Sequence, residues 1–530
     1  MSSSPTQRAI DRLPAHLRRF VVDQDHGAYT PRDHAVWRHI LHRLAERLKD
    51  TAHASYLSGL AATGIGLERI PSLDEMNGRL EGLGWSAVGV RGFIPPAVFT
   101  ELQSLGVLAI AADIRSHEHI EYTPAPDIVH ESAGHAPILA DRRYADYLKR
   151  CGEVGFRAIA SLEDQAVYEA IRHLSVVKED PAATPAEVGL AEGRLRAASA
   201  SRRFVSESTR ASRLYWWTAE YGLVGTPADP KIYGAGLLSS LGEAAHCLTG
   251  AVEKVPLSLA CVEAEYDITR MQPRLFVARD FDHLFEVLEA FEATLAWRRG
   301  GDSGLEEALR ARTVNHLVLE GGLQLSGRVA ACVPAREAVA PGLATALARV
   351  EGPVLVSRGG QAEGRPWTGE ALVAFGEGTL PPSGPFSLHL ASGLHLTGFR
   401  VAGAEVIDLR GDLEGRPLDL PSWALLFLSG SLPSVAGGPA DPGAWDRWYG
   451  DLAIQAEGEA ESRARARKAE ALSPELAALY GEARALREDG PLSASRLKDL
   501  AARAAVHPDE WLLGAEIAEL EARIAEEVAP

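Results

Sequence analysis

The stretch Tyr122-Thr123-Pro124-Ala125-Pro126-Asp127-Ile128-Val129-His130-Glu131-Ser132-Ala133-Gly134-His135 sets two histidines and two carboxylates within the nine positions from Asp127 to His135. Imidazoles and carboxylates at this density suit a metal ion. The zinc-protease motif H-E-x-x-H places its histidines at i and i+4, on one helix face. Here Gly134 holds that position, and the second histidine comes five residues after the first. On an ideal helix five residues leave two side chains about 140° apart. Both imidazoles reach one ion only if His130 begins the helix or the helix is distorted. The spacing argues against a zinc protease. Taken alone, H-E-x-x-x-H reads equally well as two helix-surface histidines beside a cap.

A redox-active iron needs a third ligand. Two histidines and one carboxylate make the facial triad of non-haem iron(II) enzymes, with the remaining positions open. The run Leu214-Tyr215-Trp216-Trp217-Thr218-Ala219-Glu220-Tyr221-Gly222-Leu223 offers one carboxylate among large aromatic residues. A glutamate buried there is costly unless protonated or beside a cation. The plain alternative is a glutamate facing solvent from an amphipathic helix. His117 and His119 form a competing pair, but their polar flanks read as a solvated loop.

Composition narrows the classes. The chain has 530 residues, 46% apolar and 24% charged, which excludes a disordered chain, a collagen-like repeat and a bundle of membrane spans. The length suggests about three domains. With 72 acidic against 54 basic residues the formal charge is -18. Such a surface repels nucleic acid and anionic membranes, so neither is expected as a partner. Four cysteines without a CxxC pair do not make a disulfide framework. The polar N-terminus lacks the apolar core of a signal peptide, and the expected location is the cytoplasm.

Residues 1–21 read as a flexible tail. Thr30, Pro31 and Asp33 then form a helix start close to a capping box. Val36, Trp37, Ile40, Leu41, Leu44 and Leu48 follow at helical spacing. Helical patterns continue to about residue 299, which predicts a mostly α domain over 22–299. Residues 300–440 are expected to form a small all-β domain, a barrel or sandwich. Leu317 and Leu319 face Leu323 and Leu325 across Gly321-Gly322, and Phe386, Leu388 and Leu390 face Leu394 and Leu396 across Gly393, as in hairpins. Residues 441–530 turn helical again, over Leu452–Ala471, from Ser473-Pro474, and over Leu512–Ile524. Nothing beyond residue 300 has ligand or catalytic spacing, and oligomerisation or regulation is the expected role.

The segments Pro124 to Pro137, Tyr215 to Leu223 and Tyr233 to Ser240 resemble the pterin-dependent aromatic amino acid hydroxylases, in the same order along the chain. Asp23 to Trp37 is similar to the bacterial phenylalanine 4-hydroxylases. The resemblance covers residues 22 to 297. It implies a mostly helical catalytic domain holding iron(II) through His130, His135 and Glu220, with Asp127 orienting the ring of His130. It implies that Arg115 grips the substrate carboxylate, since a guanidinium fork matches that group. Thr123 and Ser239 would add hydrogen bonds, and Pro126, Trp216 and Tyr221 would line the aromatic pocket. For the pterin it implies backbone contacts at Gly92, Phe93 and Ile94, stacking on Phe99, and Glu131 near the iron.

Departures from the family pattern are Pro95, Pro96 and Ala97 in the pterin loop, Ala109 where animal members carry a stacking histidine, Ala219 for valine and Tyr221 for phenylalanine. The implied activity is a monooxygenase reaction using O₂ and a tetrahydropterin, most simply of L-phenylalanine to L-tyrosine, with pterin-recycling enzymes as indirect partners. Ile268 stands where tyrosine-type members carry aspartate, so no group answers a phenol. Isoleucine there also occurs in tryptophan-type members, which leaves tryptophan or another aromatic amino acid as the alternative. A non-catalytic metal or amino-acid sensor is the reading from a different class.

Overall fold

The stretch expected to be a loose tail is built into the fold. Ser4 caps α1 (Pro5–Arg12). Ala9, Leu13 and Leu17 are buried with Val88, Val90 and Leu102. Three apolar residues at four-residue spacing are enough to anchor two short helical turns, yet too sparse to stand out in the sequence. In α2 (Pro31–Leu48) the Thr30 hydroxyl accepts from Asp33 N while the Asp33 carboxylate accepts from Thr30 N. Its apolar face is buried as its spacing predicts. The computed structural model describes residues 3–117, 120, 127–180, 183–268, 270–445, 472–488 and 492–528.

Up to residue 299 the chain is mostly helical, with two small sheets. β1 (Ser86–Val90) runs parallel to β2 (Val107–Ala111), with α3 (Pro96–Ser104) between them. α4 (Leu162–Glu179) begins at a capping box formed by Ser161 and Asp164. A four-stranded sheet is built from β3 (Leu223–Thr226), β4 (Asp229–Ile232), β5 (Glu253–Pro256) and β6 (Arg274–Ala278), in the order β4-β3-β6-β5. The short helix α5 (Ala235–Leu238) follows β4.

α6 (Gly301–Ala311) leads into one large sheet. Its longer strands are β7 (Val314–Val318), β8 (Leu323–Pro334), β9 (Thr345–Arg358), β10 (Glu370–Phe375), β11 (Gly384–His389), β12 (Leu394–Ala402), β13 (Glu405–Leu413), β14 (Trp423–Ser429) and β15 (Ser434–Gly437). Both expected hairpins form, with Leu317 opposite Leu325 and Leu388 opposite Leu396. The strands expected to make a barrel or sandwich are joined in one hydrogen-bonded sheet. The order β11-β12-β13-β14-β10-β9-β8-β7-β15 has two open ends, and two further two-residue strands bring the sheet to eleven. β10 and β14 pair in parallel; the other neighbours are antiparallel.

The central strands are buried on both faces. Ala348, Val350, Val373 and Phe375 share one core with Leu305 and Ala308 of α6. Leu347, Leu372 and Ala374 share another with Leu388, Leu396 and Val406. A strand covered on both sides reads as a continuous apolar run, as in Ala371 to Phe375, rather than as alternation.

The C-terminal helices return to the first part of the chain. They are α7 (Pro474–Glu488), α8 (Ala494–Ala504) and α9 (Trp511–Val528). Leu479, Tyr480, Leu512 and Leu513 join the same core as Trp37, Ile40 and Leu41 of α2. Arg38 and Glu516, 1% and 2% exposed, form a two-pronged ion pair there, with Nε–Oε1 at 3.0 Å and Nη2–Oε2 at 2.6 Å. The helix expected over Leu452–Ala471 lies outside the described residues. No helix among the described residues is long and apolar enough to cross a membrane.

Candidate metal centre

Both segments that carry His130, His135 and Glu220 are π-helical, Val129–His135 and Trp216–Glu220. A π-helix bonds i to i+5, so residues five apart come close to one face. This distortion reconciles H-E-x-x-x-H with a shared ion. The His130 and His135 rings sit 5.1 Å apart, edge to face. Glu220 lies between them, Oε2 at 3.3 Å from His130 Nε2 and Oε1 at 3.0 Å from His135 Nε2. One ligand atom from each residue lies within 4.8 Å of the others, and among the described residues this is the one such group of three. His119 of the competing pair is outside the described residues.

Gly134 makes the arrangement possible. A Cβ there would sit 2.7 Å from the Ala235 carbonyl oxygen, so only glycine lets α5 approach this closely. That approach delivers Ser239 to His130. The Ser239 hydroxyl donates to Ala235 O at 2.7 Å, so it accepts from the Nδ1–H of His130 at 2.9 Å. The proton is thereby kept on Nδ1, and the Nε2 lone pair points toward Glu220. His135 Nδ1 is buried without a partner among the described residues. Burial pushes the Glu220 carboxyl up, but His135 and His130 outweigh it and hold the group well below the usual carboxylate range. Burial pushes the neighbouring Glu131 up to about 8; His135 opposes this, while Glu220 and Asp127 add to it.

The role expected for Asp127 needs correction. Its carboxylate does not reach the His130 ring, which Ser239 holds instead. It accepts from Arg115 Nε at 2.7 Å, Arg115 Nη2 at 2.8 Å, Arg115 N at 3.0 Å and His130 N at 3.1 Å. An aspartate three residues ahead of a histidine caps the backbone N–H of that helical turn more readily than it reaches the ring. Although burial opposes it, Arg115 holds Asp127 below the usual range. Asp127 is therefore the anchor of Arg115, whose Nη1 has, among the described residues, a long 3.5 Å contact with Ile120 O.

A cavity of ≈ 960 Å³ opens beside the three residues, and Arg115, Trp216, Tyr221, Ser239 and Ile268 line it. Trp216 stacks with Tyr221 at 4.5 Å and with Tyr266 at 4.2 Å. Tyr266 was not singled out from the sequence; its position two residues before Ile268 was the available signal. Ile268 is 38% exposed, at the rim. Thr123 and Pro126 lie outside the described residues. Gly92, Phe93, Ile94, Phe99 and Glu131 line another part of the same cavity, and Tyr215 meets the Phe99 ring edge-on at 5.7 Å. Glu243 is a further lining residue that sequence reasoning missed. It is buried, with Oε2 unpartnered among the described residues, and burial pushes it up to about 7 against a backbone hydrogen bond from Gln272.

The sequence profile of the biopterin-dependent aromatic amino acid hydroxylases matches residues 23–171 and 160–299. The chain belongs to this family. Its relatives include a "Phenylalanine-4-hydroxylase" of Mesorhizobium japonicum, 29% identical over 53% of this chain and 87% of the relative. Another, from Chromobacterium violaceum, is 28% identical over 50% of this chain and 76% of the relative. A solved Chromobacterium violaceum phenylalanine hydroxylase, described with bound iron (III) and 7,8-dihydrobiopterin, is 27% identical, covers 55% of this chain and 92% of that chain, and has a TM-score of 0.42. In this hydroxylase the profile ends where α6 begins. The large sheet and the C-terminal helices stand outside it, yet Arg312, Thr313, Val314, Arg328 and Gly437 line the cavity too.

Proposed function

We propose that this chain is an iron(II)- and tetrahydropterin-dependent monooxygenase that hydroxylates L-phenylalanine to L-tyrosine. Family membership and the names of the relatives support the reading. The observation that carries it is the convergence of two imidazole Nε2 atoms on one buried carboxylate at the edge of a cavity. That donor set fits non-haem iron(II), with positions left open for chemistry.

Iron and the tetrahydropterin together would supply the activation of O₂. The chain's own residues bind and orient. His130, His135 and Glu220 hold the metal, and Ser239 sets the tautomer of His130. Arg115, braced by Asp127, presents its outer N–H groups to the substrate carboxylate. Trp216 and Tyr221, with Tyr266, form the aromatic wall for the ring. Gly92, Phe93, Ile94 and Phe99 hold the pterin, with Glu131 beside it. Ala109 leaves room where animal members carry a ring. Residues 22–299 form the catalytic domain, and any self-association through 441–530 must use surface other than the face already packed on α2.

Purified protein with iron(II), a tetrahydropterin, O₂ and each aromatic amino acid in turn tests this. Phenylalanine should give tyrosine, identified by mass. Product from tryptophan alone would move the assignment to the alternative substrate, and no product from any would refute the enzyme reading. Glu220→Ala should lose bound iron and turnover while keeping its circular dichroism.

A further inference from the structure

One face of the large sheet is covered over only part of its width. Ala371 and Val373 of β10 pair with Leu425 and Phe427 of β14, and all four lie in or against the core under α6. Trp423 stands two residues before Leu425, hence on the same face. It pairs with Ile407 of β13, which pairs with Phe399 of β12. Residues paired across neighbouring strands point the same way. The face that α6 covers therefore runs on over β12, β13 and the start of β14, where it is exposed. Phe399 is 43% exposed, Ile407 36% and Trp423 48%, and Val401, in the bulge after Arg400, is 41%. The other face of these strands is closed, with Leu396, Val406 and Ala424 in a buried core.

The exposed stripe is ordered. Trp423 Nε1 donates to Glu405 Oε1 at 2.8 Å, and the Trp423 ring meets Trp367 edge-on at 4.5 Å. An aromatic ring already fixed in place loses little freedom on contact, and such rings anchor interfaces. Opposite charges flank the stripe. On β13, Glu405 stands two residues before Ile407, and Arg410, opposite Thr397, is the next outward residue after it. The bulge at Asp408, held at φ 52, keeps Arg410 on the Ile407 face despite the odd spacing. Arg410 is exposed and makes no ion pair or hydrogen bond among the described residues.

This arrangement complements itself. A two-fold axis lying along the stripe sets Phe399, Ile407 and Trp423 on their counterparts, and Arg410 of each copy against Glu405 of the other. With a formal charge of -18 two copies repel over most of their surface, so an apolar stripe between one cation and one anion is where a second copy fits. We propose that this face is the interface of a two-fold homodimer, packed sheet on sheet. Phe399, Ile407, Arg410 and Trp423 are not among the residues lining the metal-side cavity, so the dimer and the hydroxylase reading stand or fall separately.

Sedimentation velocity of the full chain over about 0.1–100 μM tests this, because a small interface corresponds to a Kd on the order of micromolar. The mass should rise from 56.8 kDa to that of a dimer and go no further. Phe399→Ser with Ile407→Ser should stay monomeric, with circular dichroism and bound iron unchanged. Arg410→Glu sets glutamate against Glu405 at two equivalent places and should weaken the dimer about tenfold. Adding Glu405→Lys to that variant should recover most of the loss, which only the two-fold pairing does. A chain that is monomeric throughout, assemblies that keep growing with concentration, or a dimer untouched by the two serine substitutions would overturn the proposal. So would an Arg410→Glu loss that Glu405→Lys fails to recover.

Discussion

Ser239 decides which nitrogen of His130 faces Glu220. Its hydroxyl gives its one proton to Ala235 O, so it can only accept from His130 Nδ1. Ser239→Ala frees the ring to rotate and to exchange tautomers. Loss of a ligand-orienting partner typically costs 10–100-fold in metal affinity. Iron affinity should therefore fall at least about tenfold, with the melting temperature nearly unchanged; competitive titration against a chelator reads it. Unchanged affinity would show that the hydrogen bond does not orient the ligand. Glu243 makes a second prediction at this scale. Burial raises its carboxyl from 4.5 to about 7. Below pH 4.5 the group is protonated whether the chain is folded or not. Between pH 4.5 and 7 the unfolded chain releases the proton while the folded chain keeps it, so stability falls as pH rises and the full penalty stands above about 7. Glu243→Gln removes that slope, a gain of at most about 3 kcal/mol at neutral pH. Urea midpoints of both proteins from pH 4.5 to 7.5 should diverge steadily, and parallel curves would contradict the assignment.

At the scale of elements, the two π-helical segments are what lets His130, His135 and Glu220 converge, and the sequence contained the requirement in the five-residue histidine spacing. It did not contain the solution, because a π-turn is set by packing against α5 and not by local propensity. The helix at Thr30 was fully legible, since a capping box, a first-position proline and an apolar stripe agree. The partner of that helix was not. Arg38 sits inside α2 and finds Glu516 far away in sequence, and no local pattern joins two charges across such a separation. Removing one member of a buried pair leaves an uncompensated charge at a cost of about 3–5 kcal/mol. Glu516 also faces the buried Arg487, Nη2–Oε1 at 3.4 Å, so Glu516→Ala should lower unfolding stability by at least about that amount, whereas Arg38→Met with Glu516→Leu should recover most of it, because Arg487 keeps Glu519 at 2.9 Å. Chemical denaturation of the single and double variants separates the cases, and a harmless Glu516→Ala would mean that the pair is hydrated.

For the whole molecule, the family match stops at residue 299 but the core does not. The grouping of His130, His135 and Glu220 was readable because metal-binding chemistry restricts residue types. The large sheet was only partly readable, because its central strands are covered on both faces and lose the alternation that marks a strand. The interdependence of the parts was not readable at all, because apolar residues do not name their partners. Leu479, Leu497, Leu500, Leu512, Leu513 and Leu520 are buried in the core that contains α2. Ile159 and Ala296 in turn belong to the core under the sheet. Each buried leucine contributes about 1.5–3 kcal/mol, and a folded protein of this kind has only about 5–15 kcal/mol of net stability. A chain ending at residue 299 keeps His130, His135 and Glu220 but exposes the α2 face and the Ile159 surface. It should melt at least about 10 °C below the full chain, or aggregate, and its iron binding should fall with its folded fraction. Calorimetry and size-exclusion chromatography of both chains check this. A monomeric 1–299 chain with the melting temperature of the full protein would mean that the sheet and C-terminal helices only rest on the catalytic part rather than sharing its core.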